Sequence, residues 1–128
     1  MLESIFASNN YQASKVMLDV TAMRHKVMAG NLANVDTPGY KRLDISPTFR
    51  AELQASIKNG DITAIQEVRE PEIEPEIGLK ATRLDGNNVS MDRELMEINQ
   101  NALEYQTMAR FVSSSLKHLR TAITGRVE

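Results

Sequence analysis

A-G-N-L-A-N-V-D-T-P-G-Y-K-R, residues 29–42, is where a helical pattern runs into a prescribed turn and stops. Pro38 presets φ for the second position of a β-turn, and Gly39 can take φ > 0 at the third. Thr37, just before the proline, is pushed out of helical space. What leads into this turn is a heptad pattern. Ala13, Val16, Val20, Met23 and Val27 alternate at three- and four-residue spacing, and the next seam position is Gly30. A glycine inside a helix costs about 1 kcal/mol relative to alanine, so its place in the seam predicts another backbone passing close by. With Ser8, Asn9 or Asn10 as the cap, the helix covers residues 10–33.

The other end of the chain repeats the pattern without interruption. Met91, Leu95, Ile98, Ala102, Tyr105, Ala109, Val112, Leu116, Leu119 and Ile123 keep a strict 4–3 spacing, which defines a coiled-coil seam. Ser90 suits the N-cap and Asp92 the first turn, Lys117 and Arg120 lie near the end, and Gly125 fits the C′ position. A helix over 91–124 is about 50 Å long at 1.5 Å per residue.

The middle is heterogeneous. Ser46-Pro47 reads as an N-cap followed by proline at the first helical position, with Phe49, Leu53 and Ile57 on one face and Asn59-Gly60 as the stop. This predicts a short helix over 47–58. I-T-A-I-Q-E-V-R, residues 62–69, has the pattern of a short strand, and the prolines of E-P-E-I-E-P-E-I, residues 70–77, forbid a central one. Asp85-Gly86 marks a second turn. The expected fold is all-α dominated: two long terminal helices forming a coiled coil, with an irregular middle holding a short helix and possible short β segments. Three parts follow: residues 1–34, 35–90 and 91–128.

Composition narrows the function. The chain has 128 residues, 41% hydrophobic and 25% charged, with aromatics at 5% and no Trp. Few aromatics point to surface buried between helices rather than in one compact core. No apolar run approaches the roughly 18 residues of a membrane span. The net charge of −2 argues against nucleic acid, and the excess acid lies in residues 35–90. Cysteine is absent, which excludes disulfides and thiol chemistry. Glu3 and the lack of an apolar h-region predict no cleavable secretory signal.

Chemistry finds no foothold. His25 and His118 lie on different helices outside any metal-ligand spacing and read as solvent-facing. Glu70, Glu72, Glu74 and Glu76 alternate and could gather a divalent cation, but Pro71 and Pro75 favour a solvated, polyproline-like strand. Phosphate loops, nucleophile elbows and paired acids are absent. No catalytic residue, cofactor, metal or small-molecule substrate is therefore expected, and the chain is not expected to be an enzyme. Met17, Met23, Met28, Met91, Met96 and Met108 read as helix core filler.

The seam needs covering, by the other helix or by other subunits. The flanking positions Asn99, Asn101, Gln106, Met108, Ser113 and Ser115 are uncharged, unlike those of an isolated two-stranded coil. Met96, Leu103 and Phe111 widen the apolar face further. The pattern is that of a helix made to be surrounded.

Residues 29–41 resemble the N-terminal motif shared by rod, hook and hook-associated proteins of the bacterial flagellum, the flagellar axial superfamily. D-G-N-N-V-S-M-D-R-E at 85–94, Asn101-x-x-x-Tyr105-Gln106 and L-R-T-A-I at 119–123 are similar to its proximal rod protein family. The chain also lacks the large exposed domains of hook and distal rod proteins. The likeness covers both ends and leaves 45–83 unmatched. It implies a structural subunit of the proximal rod, part of the torque-transmitting shaft across the periplasm, exported without a cleaved signal peptide. The partners implied are copies of itself, other flagellar rod proteins, the hook-basal body adaptor protein at the membrane ring, and the flagellar type III export apparatus. Assembly is expected to use Ala13, Val16, Val20, Met23, Val27 and Gly30 of the first helix. On the second it is expected to use Leu95, Ile98, Ala102, Tyr105, Ala109, Val112, Leu116, Leu119 and Ile123. The turn motif Asn31, Asn34, Asp36, Thr37, Pro38, Gly39 and Tyr40 sets how the chain leaves the first helix. Two rival readings are a cytoplasmic helical export chaperone or adaptor, and another short rod subunit.

Overall fold

A computed structural model describes residues 9–61, 63–64, 71–81 and 83–125. Two long helices, α1 (Asn9–Ala33) and α3 (Met91–Thr124), lie side by side and pack along their lengths. They run antiparallel: Asn31 meets Glu94, Arg24 meets Glu97, and the Thr21 carbonyl meets Asn101. Both expected helices are present, and so is the short one, α2 (Pro47–Asn59).

The ends of the helices follow local chemistry. Asn34 closes α1 by donating both its backbone N–H and its side-chain amide to the Gly30 carbonyl, at 3.1 and 2.8 Å. The expected turn follows, with Gly39 at φ 71° and the Tyr40 N–H on the Thr37 carbonyl at 3.3 Å. Pro47 opens α2, and Gly60 ends it at φ 68°, its N–H on the Ile57 carbonyl at 3.2 Å. Gly125 ends α3 in the same left-handed conformation. Ser46 and Ser90 occupy the N-cap positions, but neither side chain makes a capping hydrogen bond. Ser8 lies outside the described residues, while Asn9 and Asn10 are already helical.

The middle holds a ribbon of two strands, β1 (Leu43–Ile45) and β2 (Ile73–Pro75), paired antiparallel with Asp44 opposite Glu74. Pairing continues on either side, from the Ser46 N–H to the Glu72 carbonyl at 2.8 Å and from the Glu76 N–H to the Arg42 carbonyl at 2.9 Å. Each strand is an edge, which is why Pro75 is tolerated. The strand expected over 62–69 falls largely outside the described residues. Thr63 and Ala64 are helical instead, with the Asp61 carboxylate accepting the Ala64 N–H at 3.0 Å.

An apolar cluster lies beneath α2, where Val20, Ile45 and Leu53 are buried and Val16, Met17, Phe49 and Ile57 pack around them, while Met28, Val35, Val89 and Leu119 are buried outside it. Of the methionines read as filler, Met28 is buried, but Met91 and Met96 are exposed. No helix among the described residues is long and apolar enough to cross a membrane.

Candidate functional site

The contact between α1 and α3 is polar at its heart. On α1 the face turned inward is Ser14, Met17, Thr21, Arg24, Met28 and Asn31, at 3–4–3–4–3 spacing and with Ser14, Thr21, Met28 and Asn31 buried. That stripe lies one residue along from the expected seam, about 100° around the helix. The seam residues Val16 and Val20 face the α2 cluster instead. On α3 the residues Ile98, Val112 and Leu119 of the expected seam keep their inward place, joined by Glu94, Asn101, Met108 and Ser115 rather than Leu95 and Leu116. Hydrogen bonds chose this register. Asn101 Nδ2 donates to the Thr21 carbonyl at 2.8 Å, and such a bond fixes one axial alignment that apolar side chains would leave free.

Arg42 sits at the centre, with no exposed surface. Its Nε donates to Glu94, which is equally buried, and its Nη1 donates to Glu76 and, at 3.1 Å, to Asp44. Arg24 from α1 reaches the same Asp44 twice at 3.0 Å, and Glu97 of α3 at 2.7 Å. Arg93 closes the outer side on Glu76 at 2.9 Å, and Arg50 of α2 approaches Asp44 at 3.4 Å. Four arginines therefore face four carboxylates, and the network ties all three helices to the ribbon.

Its protonation follows from this geometry. Burial works against the charge of Asp44, but hydrogen bonds from Arg24, the Ile45 N–H and Arg42 hold its carboxyl well below the usual range. Burial likewise opposes the charge on Glu76, and the Arg93 hydrogen bond and the Arg42 charge outweigh it. For Arg42, burial favours the neutral form, while Glu94 and then Asp44 hold the guanidinium charged. Glu72, Glu74 and Glu76 are not uniformly solvated as the sequence suggested, because Glu76 is drawn inward by two arginines.

The turn motif is keyed to the segment before α3. The Asn87 amide donates to three carbonyls of the turn, those of Asn34 at 3.1 Å, Val35 at 3.0 Å and Thr37 at 2.8 Å. Asn88 Oδ1 accepts the Arg42 N–H at 2.6 Å, and Lys41 Nζ reaches the Gly86 carbonyl at 2.5 Å. Asn31 Oδ1 accepts both the Leu43 N–H at 3.0 Å and the Tyr40 hydroxyl at 3.3 Å. Asp36 pairs with Arg83 at 2.8 Å, and Pro38 and Gly39 form the exposed tip. Of the motif residues, Asn31 has a structural task that spacing could not show: it joins α1, β1 and, through Glu94, α3.

The rest of the expected interface is left open. Leu95, Tyr105, Leu116 and Ile123 are exposed, as are the flanking Met96, Leu103 and Phe111, while Ala102 and Ala109 are half-buried. Ala13, Met23 and Val27 are half-buried on α1. A Cβ at Gly30 would meet nothing within 4 Å, so among the described residues no backbone outside α1 makes the close approach its position predicted. His25 and His118 are exposed. Among the described residues no cluster of His, Cys, Asp or Glu is arranged to hold a metal.

No family model matches the chain. Curated relatives do. It is 39% identical to the flagellar basal body rod protein FlgB of Aquifex aeolicus (strain VF5) over 119 residues, 89% of this chain and 92% of the relative. It is 30% identical to the protein of that name from Escherichia coli (strain K12) over 138 aligned residues, 96% and 97% of the two chains. The corresponding Salmonella typhimurium protein is 30% identical over 140 aligned residues, 98% of this chain and 99% of the relative.

Proposed function

The chain belongs to the flagellar basal body rod protein FlgB family, and from that premise we propose a structural subunit of the proximal rod, built into a torque-transmitting shaft by its terminal helices. One observation carries the mechanism. The chain joins its own helices through a polar network and leaves the apolar flank of α3 outside, where Leu95, Met96, Leu103, Phe111, Leu116 and Ile123 are exposed. Exposed apolar side chains along most of a helix mark a surface for other proteins.

The division into residues 1–34, 35–90 and 91–128 then has a functional sense. The two helical parts supply assembly surface, and the middle clamps their register. Neighbours in this reading are further copies, other rod proteins and the adaptor at the membrane ring, with delivery through the flagellar export apparatus. Chemistry has no part in it: the buried carboxylates are occupied by arginines, and the work of the molecule is packing.

The test is to purify basal bodies from cells expressing the chain and identify their proteins by mass spectrometry after fractionation. The reading requires the chain in the rod-containing fraction, with little in the cytosol. Recovery only from the cytosol, as a stable complex with export substrates, would replace it with the chaperone reading.

A further inference from the structure

The two-stranded ribbon has two edges, and they are closed by different means. In its ladder Asp44 lies opposite Glu74, the Ser46 N–H bonds the Glu72 carbonyl, and the Glu76 N–H bonds the Arg42 carbonyl. Those residues turn their backbone groups toward the other strand. Leu43 and Ile45 on β1, and Pro71, Ile73 and Pro75 along β2, therefore turn theirs away from it. A row of unpaired N–H and C=O groups of this kind is a template for a further strand.

On the β1 side the row is answered by side chains. Asn31 acts as a strand one residue long: its Oδ1 accepts the Leu43 N–H at 3.0 Å, and its Nδ2 donates to the Leu43 carbonyl at 2.8 Å. At Ile45 the Asp44 carboxylate accepts the N–H at 2.8 Å, and Arg50 donates to the carbonyl at 3.1 Å. On the β2 side proline takes over, because residues 71 and 75 have no N–H to offer. Ile73 between them is 40% exposed and carries the one outward N–H of residues 71–75. Glu72, Glu74 and Glu76 alternate with these positions, so a second β2 laid alongside would set like charges opposite one another.

We propose that the ribbon is sealed against strand addition, with Asn31, Asp44 and Arg50 closing β1 and Pro71 and Pro75 closing β2. The prolines matter for what they remove: without their N–H groups an incoming strand finds a single donor where three consecutive outward positions would supply three. A chain that leaves an apolar helix flank uncovered gains from keeping a second adhesive surface out of play. In the rod-subunit reading this leaves association to the helices, but the seal does not depend on that reading.

Two measurements test it. The first is amide hydrogen exchange of the wild-type chain, followed residue by residue by NMR. Leu43 and Ile45 should be protected although they lie on an edge, and Ile73 should exchange at least about tenfold faster than Glu74 and Glu76. An Ile73 amide as slow as those two overturns the proposal, because that edge is then already covered; fast exchange at Leu43 and Ile45 overturns it as well. The second is fluorescence anisotropy of a labelled peptide of alternating lysine and valine, a third strand of complementary charge, titrated with the full chain. Wild type is compared with Pro71→Thr/Pro75→Thr, which restores two N–H groups, and with that double variant carrying Ile73→Pro, which removes the middle one. All three have the same net charge, and each is checked for native helicity by circular dichroism. The double variant should bind the peptide at least about tenfold more tightly than wild type, as two restored hydrogen bonds allow, and the triple variant should bind like wild type. Equal binding by all three, tight binding by wild type, or a triple variant that binds like the double one overturns the proposal.

Discussion

Arg42 shows what a single side chain does in this fold. Taking a guanidinium and its carboxylates out of water is costly, and the arrangement persists because each carboxylate is met by an arginine, although among the described residues Arg42 Nη2 is buried without a hydrogen-bond partner. Arg42→Met should lose about 3–5 kcal/mol in urea unfolding, because it leaves Glu94 buried with only the Asn31 amide as partner. Arg42→Met with Glu94→Leu should recover part of that loss, giving a favourable coupling in a double-mutant cycle. Asn87→Ala should cost about 1–3 kcal/mol by stripping a donor from buried carbonyls. Hydrogen exchange of the Tyr40 N–H would show the turn loosening. None of these roles could be read in advance. Arg42 and Asp44 lie far from Glu76 and Glu94 in sequence, the four match no motif, and an alternating Arg-Leu-Asp of three residues is too short to announce a buried strand.

At the scale of elements, the helices were legible and their facing was not. Periodicity and stop signals located α1, α2 and α3 because Pro47, Gly60 and Gly125 act through local sterics. The inward stripe of α1 is one residue off the apolar seam because its hydrogen bonds to Glu94, Glu97 and Asn101 outweigh apolar area, a term the pattern of hydrophobics does not contain. Two predictions follow from the elements as packed. Gly30→Ala should stabilise the isolated chain by about 0.5–1 kcal/mol, since the helix gains propensity and the added methyl meets open space. Thermal unfolding measures that gain; a loss would reveal a close neighbour at Gly30. The second concerns acid. Asp44 and Glu76 titrate lower folded than unfolded, so the unfolded chain binds more protons in the acid range and stability there rises with pH. Their contribution is complete above about pH 4.5 and is lost as the pH falls through the folded values. Circular dichroism during acid titration should show this slope, and Asp44→Asn should flatten it.

For the whole molecule, the distribution of polar and apolar contact is inverted relative to an ordinary helical hairpin. Ions and amides share the interior between α1 and α3 with Met28 and Leu119, and leucine, methionine and phenylalanine line the outside of α3. A chain arranged this way keeps its own register by specific polar bonds and leaves apolar surface of α3 uncovered. The sequence already carried half of this, in the uncharged flanks of the α3 seam, but it did not say which seam positions the chain's own first helix would leave uncovered. Leu116 separates the two uses of α3. It lies in the apolar row, is 43% exposed, and sits beside Lys117 and Arg120, so Leu116→Glu places an acid where the folded chain tolerates one. Such a surface substitution should move the unfolding midpoint of the purified chain by no more than about 0.5–1 kcal/mol. In an assembled rod the same carboxylate would be buried without a partner, which is far more costly. The decisive measurement is the amount of Leu116→Glu chain recovered in purified basal bodies relative to wild type, from cells making equal amounts of both. A folded variant almost absent from the basal bodies is the expected result; recovery equal to wild type would show that the outer flank of α3 is not an assembly surface.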